Sequence, residues 1–218
     1  MIRLGVLASG SGSNLQAILD ACASGRIPAR VAAVICNVPG AQALERAGKA
    51  GVPAVLLPHQ GHARREDYDA RLVEELRARE VGLVCLAGFM RIVTPVLLRS
   101  FPERVLNIHP SLLPAFPGMH AVRQALAAGV RLTGCTVHLV DEGTDSGPIV
   151  VQAAVPVLDG DTEEKLAARI LVQEHRAYPR AIQLVAEDRI ALAGRAVAVR
   201  SGSGDPGRTL ASPPLDDG

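Results

Sequence analysis

The chain has 218 residues, of which 48% are hydrophobic and 21% charged, a composition typical of a globular protein with a sizeable core. Lysine and arginine total 23 against 22 acidic residues, so the net charge of +1 argues against a protein that binds nucleic acid mainly through its phosphates. An aromatic content of 2% argues against base-stacking surfaces. No segment approaches the roughly 20 apolar residues of a membrane span. From the charge, the aromatic content and this lack of an apolar span, we expect neither nucleic acid nor membrane as a partner.

The four cysteines, at positions 22, 36, 85 and 135, all lie in apolar stretches. Their spacing fits no zinc motif, so the sequence predicts buried free thiols and no metal. The apolar start, residues 1–8, has only Arg3 before its hydrophobic run, which favours a buried first strand over a signal peptide. We therefore predict a cytoplasmic protein.

Short apolar runs alternate with helical patterns through the first half of the chain. The runs predict strands at 2–8, 31–36, 54–57, 83–87 and 105–108. Apolar residues at helical spacing predict helices at 14–23, 41–50 and 66–79. Because the strands are continuously apolar, we expect a parallel sheet that helices cover on both faces.

The pattern changes after residue 110. The proline-rich segment 110–117 is incompatible with a regular helix or a central strand. Beyond it the sequence predicts a short helix at 122–128, an antiparallel pair of strands at 133–140 and 149–157, and a helix from Thr162 to about residue 185. Residues 201–218 are rich in Gly, Pro, Ser and Asp and are predicted to form a mobile tail. The predicted fold is thus α/β, with a Rossmann-like, mostly parallel sheet and antiparallel strands added in the C-terminal half.

A turn rich in glycine and serine, SGSGSN at 9–14, joins the first strand to the first helix. Such a turn presents backbone N–H groups at the positive end of a helix, where anions bind. It lacks the third glycine of a dinucleotide motif and the Lys-Ser/Thr of a Walker loop, and the second strand ends in Asn37 rather than an acidic residue. The turn predicts a site for a monophosphate, with a tight turn that binds nothing as the alternative.

Asn107 and His109 lie at the end of the fifth strand, and the carboxyl ends of parallel strands are where open α/β sheets place their sites. Two residues apart in an extended chain, they point to the same side, and a histidine there can act as an acid or base near neutral pH. The polar loop 141–148 offers carboxylates, one of which could pair with His109, fix its orientation and favour its charged form. An ordinary hairpin loop is the alternative interpretation of this segment.

Five segments together resemble the glycinamide ribonucleotide formyltransferases, the folate-dependent enzymes of purine synthesis. They are SGSGSNLQAI (9–18), LAGFMRIV (86–93), NIHPSLLPAFPG (107–118), TGCTVHLVDEGTDSGPIVVQ (133–152) and QEHRAYP (173–179). NIHPSLLP is shared by other enzymes that use formyltetrahydrofolate, whereas SGSGSN combined with QEH is more specific. The resemblance spans about residues 1–195. It implies one formyltransferase domain at 1–200, with a phosphate-binding half at 1–105 and a catalytic and folate half at 106–200.

The resemblance also implies roles for individual residues. Those implied as catalytic are Asn107, His109 and Asp145. Those implied at the substrate are Gly12, Ser13 and Asn14 on the phosphate and Glu174 on the glycinamide part. Those implied near the folate are Arg65, Met90, Arg91, Ile92, Val93 and Asn107, with the backbone of 141–145 lining the pterin pocket.

Taken without the resemblance, several of these residues have simpler interpretations. Arg65 lies in a charged run that is normally solvated, and Met90 is a type more often found in a core. Glu174 could form an exposed salt bridge on its helix. His120 and His138 could both be structural.

The implied reaction transfers a formyl group from 10-formyltetrahydrofolate to the amine of 5-phosphoribosylglycinamide, in de novo purine biosynthesis and without a metal. We expect these two small molecules as its partners, and a monomer or a homodimer. The alternatives are a formyltetrahydrofolate hydrolase, a methionyl-tRNA formyltransferase or a non-catalytic phosphate-binding module. The hydrolase normally carries an N-terminal regulatory domain and the tRNA enzyme a C-terminal nucleic-acid-binding domain, and we expect neither here.

Overall fold

A computed structural model describes residues 1–200 of the chain, so the predicted tail at 201–218 lies outside the described residues. Seven strands form one sheet in the order β3-β2-β1-β4-β5-β6-β7, and a separate hairpin pairs β8 with β9. The strands are β1 (Ile2–Ala8), β2 (Ala29–Cys36), β3 (Ala54–Leu56), β4 (Leu83–Leu86), β5 (Val105–His109), β6 (Leu132–Leu139), β7 (Ile149–Pro156), β8 (Ile190–Ala193) and β9 (Ala196–Val199). The helices are α1 (Ser13–Ala23), α2 (Gln42–Lys49), α3 (Arg65–Arg77), α4 (Pro95–Ser100), α5 (Ala121–Ala127) and α6 (Glu163–Ala186).

The mostly parallel, Rossmann-like architecture predicted from the sequence is confirmed. Strands β1 to β5 run parallel, whereas β6 pairs antiparallel with β5 and β7 antiparallel with β6. Each predicted helix and strand is present, with its ends shifted by at most two residues. Two elements were not predicted: the six-residue helix α4, which begins at Pro95 with Thr94 as its N-cap, and the β8–β9 hairpin. Both are too short to carry a clear periodicity.

Strand β1 lies inside the sheet between β2 and β4, and its alternating side chains enter two separate cores. Leu4 and Val6 pack in the core under α1, α2, α5 and α6, while Leu7 packs in the core under α3 and α4. Gly5 faces α3, where an added Cβ would lie 2.3 Å from a methyl group of Leu76. The lack of a side chain at this position is therefore what lets α3 approach the sheet.

The chain order creates a switch point between β1 and β4. From β1 the chain passes to β2 and β3 on one side, then crosses to β4 and β5 on the other. In open α/β sheets the carboxyl ends of strands at such a point flank a crevice that holds ligands. No helix within residues 1–200 has the length and hydropathy needed to cross a bilayer.

Candidate active site

A cavity of about 460 Å³ opens at the carboxyl ends of β4 and β5. This volume lies within the range of roughly 300–1,000 Å³ typical of small-molecule sites. The residues that line it include the segment 90–93, Asn107, His109, His138 and Asp145. The three residues implied as catalytic by the sequence are thus brought together in one cavity.

Asp145 is the centre of the polar cluster in this cavity. Its Oδ2 accepts a hydrogen bond from the Gly118 N–H at 2.8 Å and lies 3.3 Å from His109 Nδ1. Its Oδ1 lies 3.4 Å from Asn107 Nδ2 and 3.6 Å from His138 Nε2. Burial alone would raise the pKa of Asp145, but the hydrogen bond from the Gly118 N–H and the contact with His109 outweigh it, so the pKa lies below its ordinary value of 3.8. The carboxylate is therefore ionised at neutral pH.

Both ring nitrogens of His109 face hydrogen-bond acceptors. Nε2 lies 2.8 Å from the carbonyl oxygen of Phe116, and Nδ1 faces the Asp145 carboxylate. A neutral ring carries one N–H and would leave a lone pair against one of these oxygens, whereas the imidazolium donates to both. His109 is buried, with 5% of its surface exposed.

Asn107 and His138 lie opposite each other on neighbouring antiparallel strands. His138 Nδ1 lies 3.0 Å from the Leu139 carbonyl oxygen and must donate to it, so Nε2 of a neutral ring is an acceptor. Asn107 Nδ2 donates to that Nε2 at 3.2 Å, and its second N–H is directed to Asp145 at 3.4 Å. Both N–H groups of the Asn107 amide are thus engaged.

The loop that carries Asp145 is held by its own side chains. Asp141 Oδ1 accepts from the Gly143 N–H at 3.1 Å and from Ser146 Oγ at 2.6 Å. At Gly147 an added Cβ would lie 1.8 Å from the Leu139 carbonyl oxygen, so the loop passes too close to β6 for any side chain. Asp145 itself has a φ of 50°, a left-handed conformation that Asp tolerates better than most residues.

The glycine-rich turn forms the start of α1, as the sequence predicts. Gly12 is the N-cap with a φ of 70°, and no side chain caps the helix. The first N–H groups of an α-helix have no partner within it, so those of Ser13 and Asn14 are available at the positive end of the helix.

Glu174, on α6, reaches this turn. Its Oε2 accepts a hydrogen bond from Asn14 Nδ2 at 2.7 Å, and both residues are buried. The interpretation of Glu174 as an exposed salt bridge is therefore wrong. Burial raises the pKa of Glu174, and the Asn14 hydrogen bond only partly opposes this.

The segment implied at the folate is exposed along the cavity. Met90 and Ile92 are 68% and 59% exposed, so Met90 is not a core residue. The Arg91 guanidinium stacks over the Tyr68 ring, 4.6 Å from its centroid. Arg65 is exposed at the start of α3 and is not among the residues that line the cavity.

Ser9 links the glycine-rich turn to the cavity. Its Oγ accepts from the Met90 N–H at 2.9 Å and donates to Asn37 Oδ1 at 2.7 Å. No role for Ser9 was predicted from the sequence, and the role of His138 was not determined there. Ser9 could have been suspected from its place at the end of β1, but His138 could be recognised only from the pairing of β5 with β6.

Among residues 1–200, no group of three or more His, Cys, Asp or Glu side chains is arranged to hold a metal ion.

Comparison with known proteins places this site in a family. The profile of the family described as formyl transferase matches residues 2–182. The phosphoribosylglycinamide formyltransferase of Mycobacterium tuberculosis is 50% identical over 193 residues, which are 88% of this chain and 89% of that protein. The trifunctional purine biosynthetic protein adenosine-3 of Drosophila melanogaster is 51% identical over 185 residues, 84% of this chain. The chain spans only 14% of the length of that relative.

Solved structures give the same result. The crystal structure of glycinamide ribonucleotide transformylase 1 from Symbiobacterium toebii superposes with a TM-score of 0.91 at 58% identity, covering 92% of this chain and 95% of that one. A formyltetrahydrofolate deformylase from Pseudomonas syringae shares the fold at a TM-score of 0.85, but at 29% identity and over 66% of its own chain. From the profile match over most of its length and from these relatives, the chain belongs to the formyl transferase family.

Proposed function

We propose that the chain transfers a formyl group from 10-formyltetrahydrofolate to the amine of 5-phosphoribosylglycinamide, a step of de novo purine biosynthesis. The observation that carries this proposal is the convergence of Asn107, His109 and Asp145 in a cavity next to the glycine-rich turn. The identities of 50% and 58% to proteins named for this substrate support it. The 29% identity to a deformylase makes hydrolysis the weaker candidate.

The two substrates would approach from the two halves of the domain. In the half at 1–105, the N–H groups of Gly12, Ser13 and Asn14 bind the phosphate, and Glu174 reaches over from α6 to the glycinamide part. In the half at 106–200, Asn107, His109 and Asp145 act on the formyl group.

The lining of the cavity supports the formyl donor as its ligand. Met90, Ile92 and Val93 provide apolar contacts for its aromatic parts, and the backbone of 141–145 provides polar groups along the opposite wall. Arg91 stacks on Tyr68 of α3, and Arg65 is the first residue of α3. Both offer guanidinium groups to the donor's carboxylates. No metal takes part in this proposal.

The chemistry needs no nucleophile from the protein. The substrate amine attacks the formyl carbon, the bond from that carbon to N10 of the folate breaks, and the proton lost by the amine passes to N10. Negative charge develops on the formyl oxygen, and His109, oriented by Asp145 and Phe116, can in its protonated form donate a charged hydrogen bond to it. Asp145 stays ionised and keeps His109 oriented.

Asn107 is the second donor to the formyl oxygen. To bind that oxygen, one of its two N–H groups must give up its present contact. Of its two N–H contacts, the one to Asp145 is the longer, at 3.4 Å. We expect this N–H to leave Asp145 for the formyl oxygen, while the bond to His138 keeps the amide in place. His109 Nε2 likewise exchanges the Phe116 carbonyl for substrate.

All four cysteines are free thiols, which supports the cytoplasm as the compartment of this reaction. Thiols in an oxidising compartment tend to be paired.

The test is to supply 10-formyltetrahydrofolate with and without 5-phosphoribosylglycinamide and to identify the product by mass spectrometry. We expect the amine to gain one formyl group and tetrahydrofolate to form in equal amount, only when both substrates are present. Formate release without a formylated amine would instead show a hydrolase. No reaction in either mixture would support a module that only binds phosphate.

A further inference from the structure

Arg46, on α2, is a basic side chain in contact with the glycine-rich turn, and the proposed reaction gives it no role. Its Nε donates to the Ser11 carbonyl oxygen at 2.8 Å, and its Nη1 donates to Gln16 Oε1 at 3.1 Å. Arg46 therefore holds both the turn and the first part of α1.

A second contact from α2 is made with the peptide group between Gly10 and Ser11, which precedes the one that Arg46 contacts. The Ala43 N–H donates to the Gly10 carbonyl oxygen at 3.2 Å. Ala43 is in the first turn of α2, where backbone N–H groups have no partner within the helix. At Gly12 an added Cβ would lie 2.9 Å from Ala43 Cα and 3.3 Å from Arg46 Cδ, so only glycine lets the turn lie this close to α2.

These two contacts fix which way the turn's N–H groups point. In a trans peptide group the C=O and N–H point in opposite directions. Because the Gly10 and Ser11 carbonyls are directed to α2, the N–H groups of Ser11 and Gly12 must point away from it. An anion outside the turn then meets N–H groups rather than carbonyl oxygens.

Two further observations point to a polar ligand around the start of α1. Asn14 is 8% exposed, and its Oδ1 is buried with no hydrogen-bond partner among the described residues; the same holds for Nε2 of the half-buried His175. Burial and the positive charge of Arg46 both lower the pKa of His175, and Arg46 itself contacts Ser11 and Gln16. A fixed positive charge therefore lies beside the turn and the start of α1.

We propose that Arg46 is the positioning residue of the phosphate subsite: it turns the Ser11 carbonyl away from the ligand, directs the Gly12 N–H towards it and adds a fixed positive charge. This inference rests on the proposed function, since it names how that phosphate is held. It also adds the Ser11 N–H to the groups that bind it.

The first test compares the kinetics of Arg46→Ala with those of Lys49→Ala, which removes the same charge one turn further along α2. Arg46→Ala should raise KM for 5-phosphoribosylglycinamide about tenfold, as expected when the Gly12 N–H loses its hydrogen bond to the charged phosphate. The kcat and the KM for the formyl donor should stay within about twofold, since the cavity at Asn107 is a separate segment. With a substrate that lacks the phosphate, wild type and Arg46→Ala should have equal kcat/KM. Equal KM values for the phosphorylated substrate would overturn the inference.

The second test measures the gain in melting temperature in inorganic phosphate. Wild type and Lys49→Ala should gain equally, and Arg46→Ala should lose most of the gain. If the wild type gains nothing, the proposed phosphate site itself is wrong; if it gains and Arg46→Ala gains as much, only the role of Arg46 is wrong. Should Arg46→Ala fail to fold, Arg46→Lys must still show a raised KM for the phosphorylated substrate, because an ammonium cannot make both fixed contacts.

Discussion

Asp145 holds the cluster together because each of its carboxylate oxygens meets two neighbours. Oδ2 is shared by the Gly118 N–H and His109, and Oδ1 by Asn107 and His138. This sharing explains why its pKa is lowered despite burial. Since a lowered pKa means that the native contacts favour the ionised form, their contribution to stability is present above pH 3.8 and is lost as the pH falls through the pKa of the folded state.

Asp145→Asn keeps the shape of the side chain and removes its charge. We expect kcat to fall by about 10²-fold or more, because the amide no longer favours the charged form of His109. Nitrogen NMR of the His109 ring at one fixed pH near neutrality should show a smaller charged fraction than in the wild type. An unchanged charged fraction would show that the pair does not control His109.

Replacing Asn107 and His109 separately should distinguish their two roles. Asn107→Ala should lower kcat by about 10²-fold with little change in pH dependence, because a neutral donor is lost. His109→Ala should also lower kcat and should remove the fall in kcat that follows loss of the imidazolium proton as pH rises. Both variants should keep the wild-type KM for the phosphorylated substrate. If that pH dependence survives in His109→Ala, another group titrates.

At the scale of the elements, α6 joins the two ends of the site. It carries Glu174 to the glycine-rich turn, and one turn later its buried Tyr178 hydroxyl lies 3.0 Å from the carbonyl oxygens of both Leu86 and Leu106. Leu86 is the last residue of β4, and Leu106 is the residue of β5 just before Asn107. Tyr178 therefore supports the end of β4, which precedes the segment 90–93, and the part of β5 next to Asn107.

Tyr178→Phe should lower the free energy of unfolding by about 1–3 kcal/mol, because two buried carbonyls lose their shared donor. Tyr68→Phe is the matched control, since the Tyr68 hydroxyl donates to the single carbonyl of Leu57 and should cost less. Urea denaturation of both variants measures the two losses. A loss at Tyr178 no larger than that at Tyr68 would contradict this role.

The elements of the site could be predicted from the sequence, but several contacts between them could not. The apolar run predicts β1 at its observed bounds, and the polar residues Asn107 and His109 at the end of β5 point to the cavity. The contact of His138 with Asn107 depends on the register of two strands, which apolar patterning alone does not determine. The contact of Arg46 with Ser11 joins residues 35 apart and follows from the packing of α2 against the turn, which local pattern does not show.

For the whole molecule, the order of the strands explains why two substrate sites adjoin. The turn after β1 and the segment after β4 come from neighbouring strands, and the Ser9 hydroxyl joins them through the Met90 N–H. The antiparallel pair β6–β7 then brings the Asp145 loop to the end of β5. A phosphate at α1 and a formyl donor in the cavity thus lie on adjoining parts of one sheet edge.

A crystal structure with 5-phosphoribosylglycinamide and a non-transferable analogue of the formyl donor tests this account most directly. We predict the phosphate within hydrogen-bond distance of the N–H groups of residues 11–14, and the N10 position of the analogue beside Asn107 and His109. We also predict that His109 Nε2 has left the Phe116 carbonyl. A phosphate bound away from the glycine-rich turn, or an analogue bound outside the cavity at Asn107, would contradict the account.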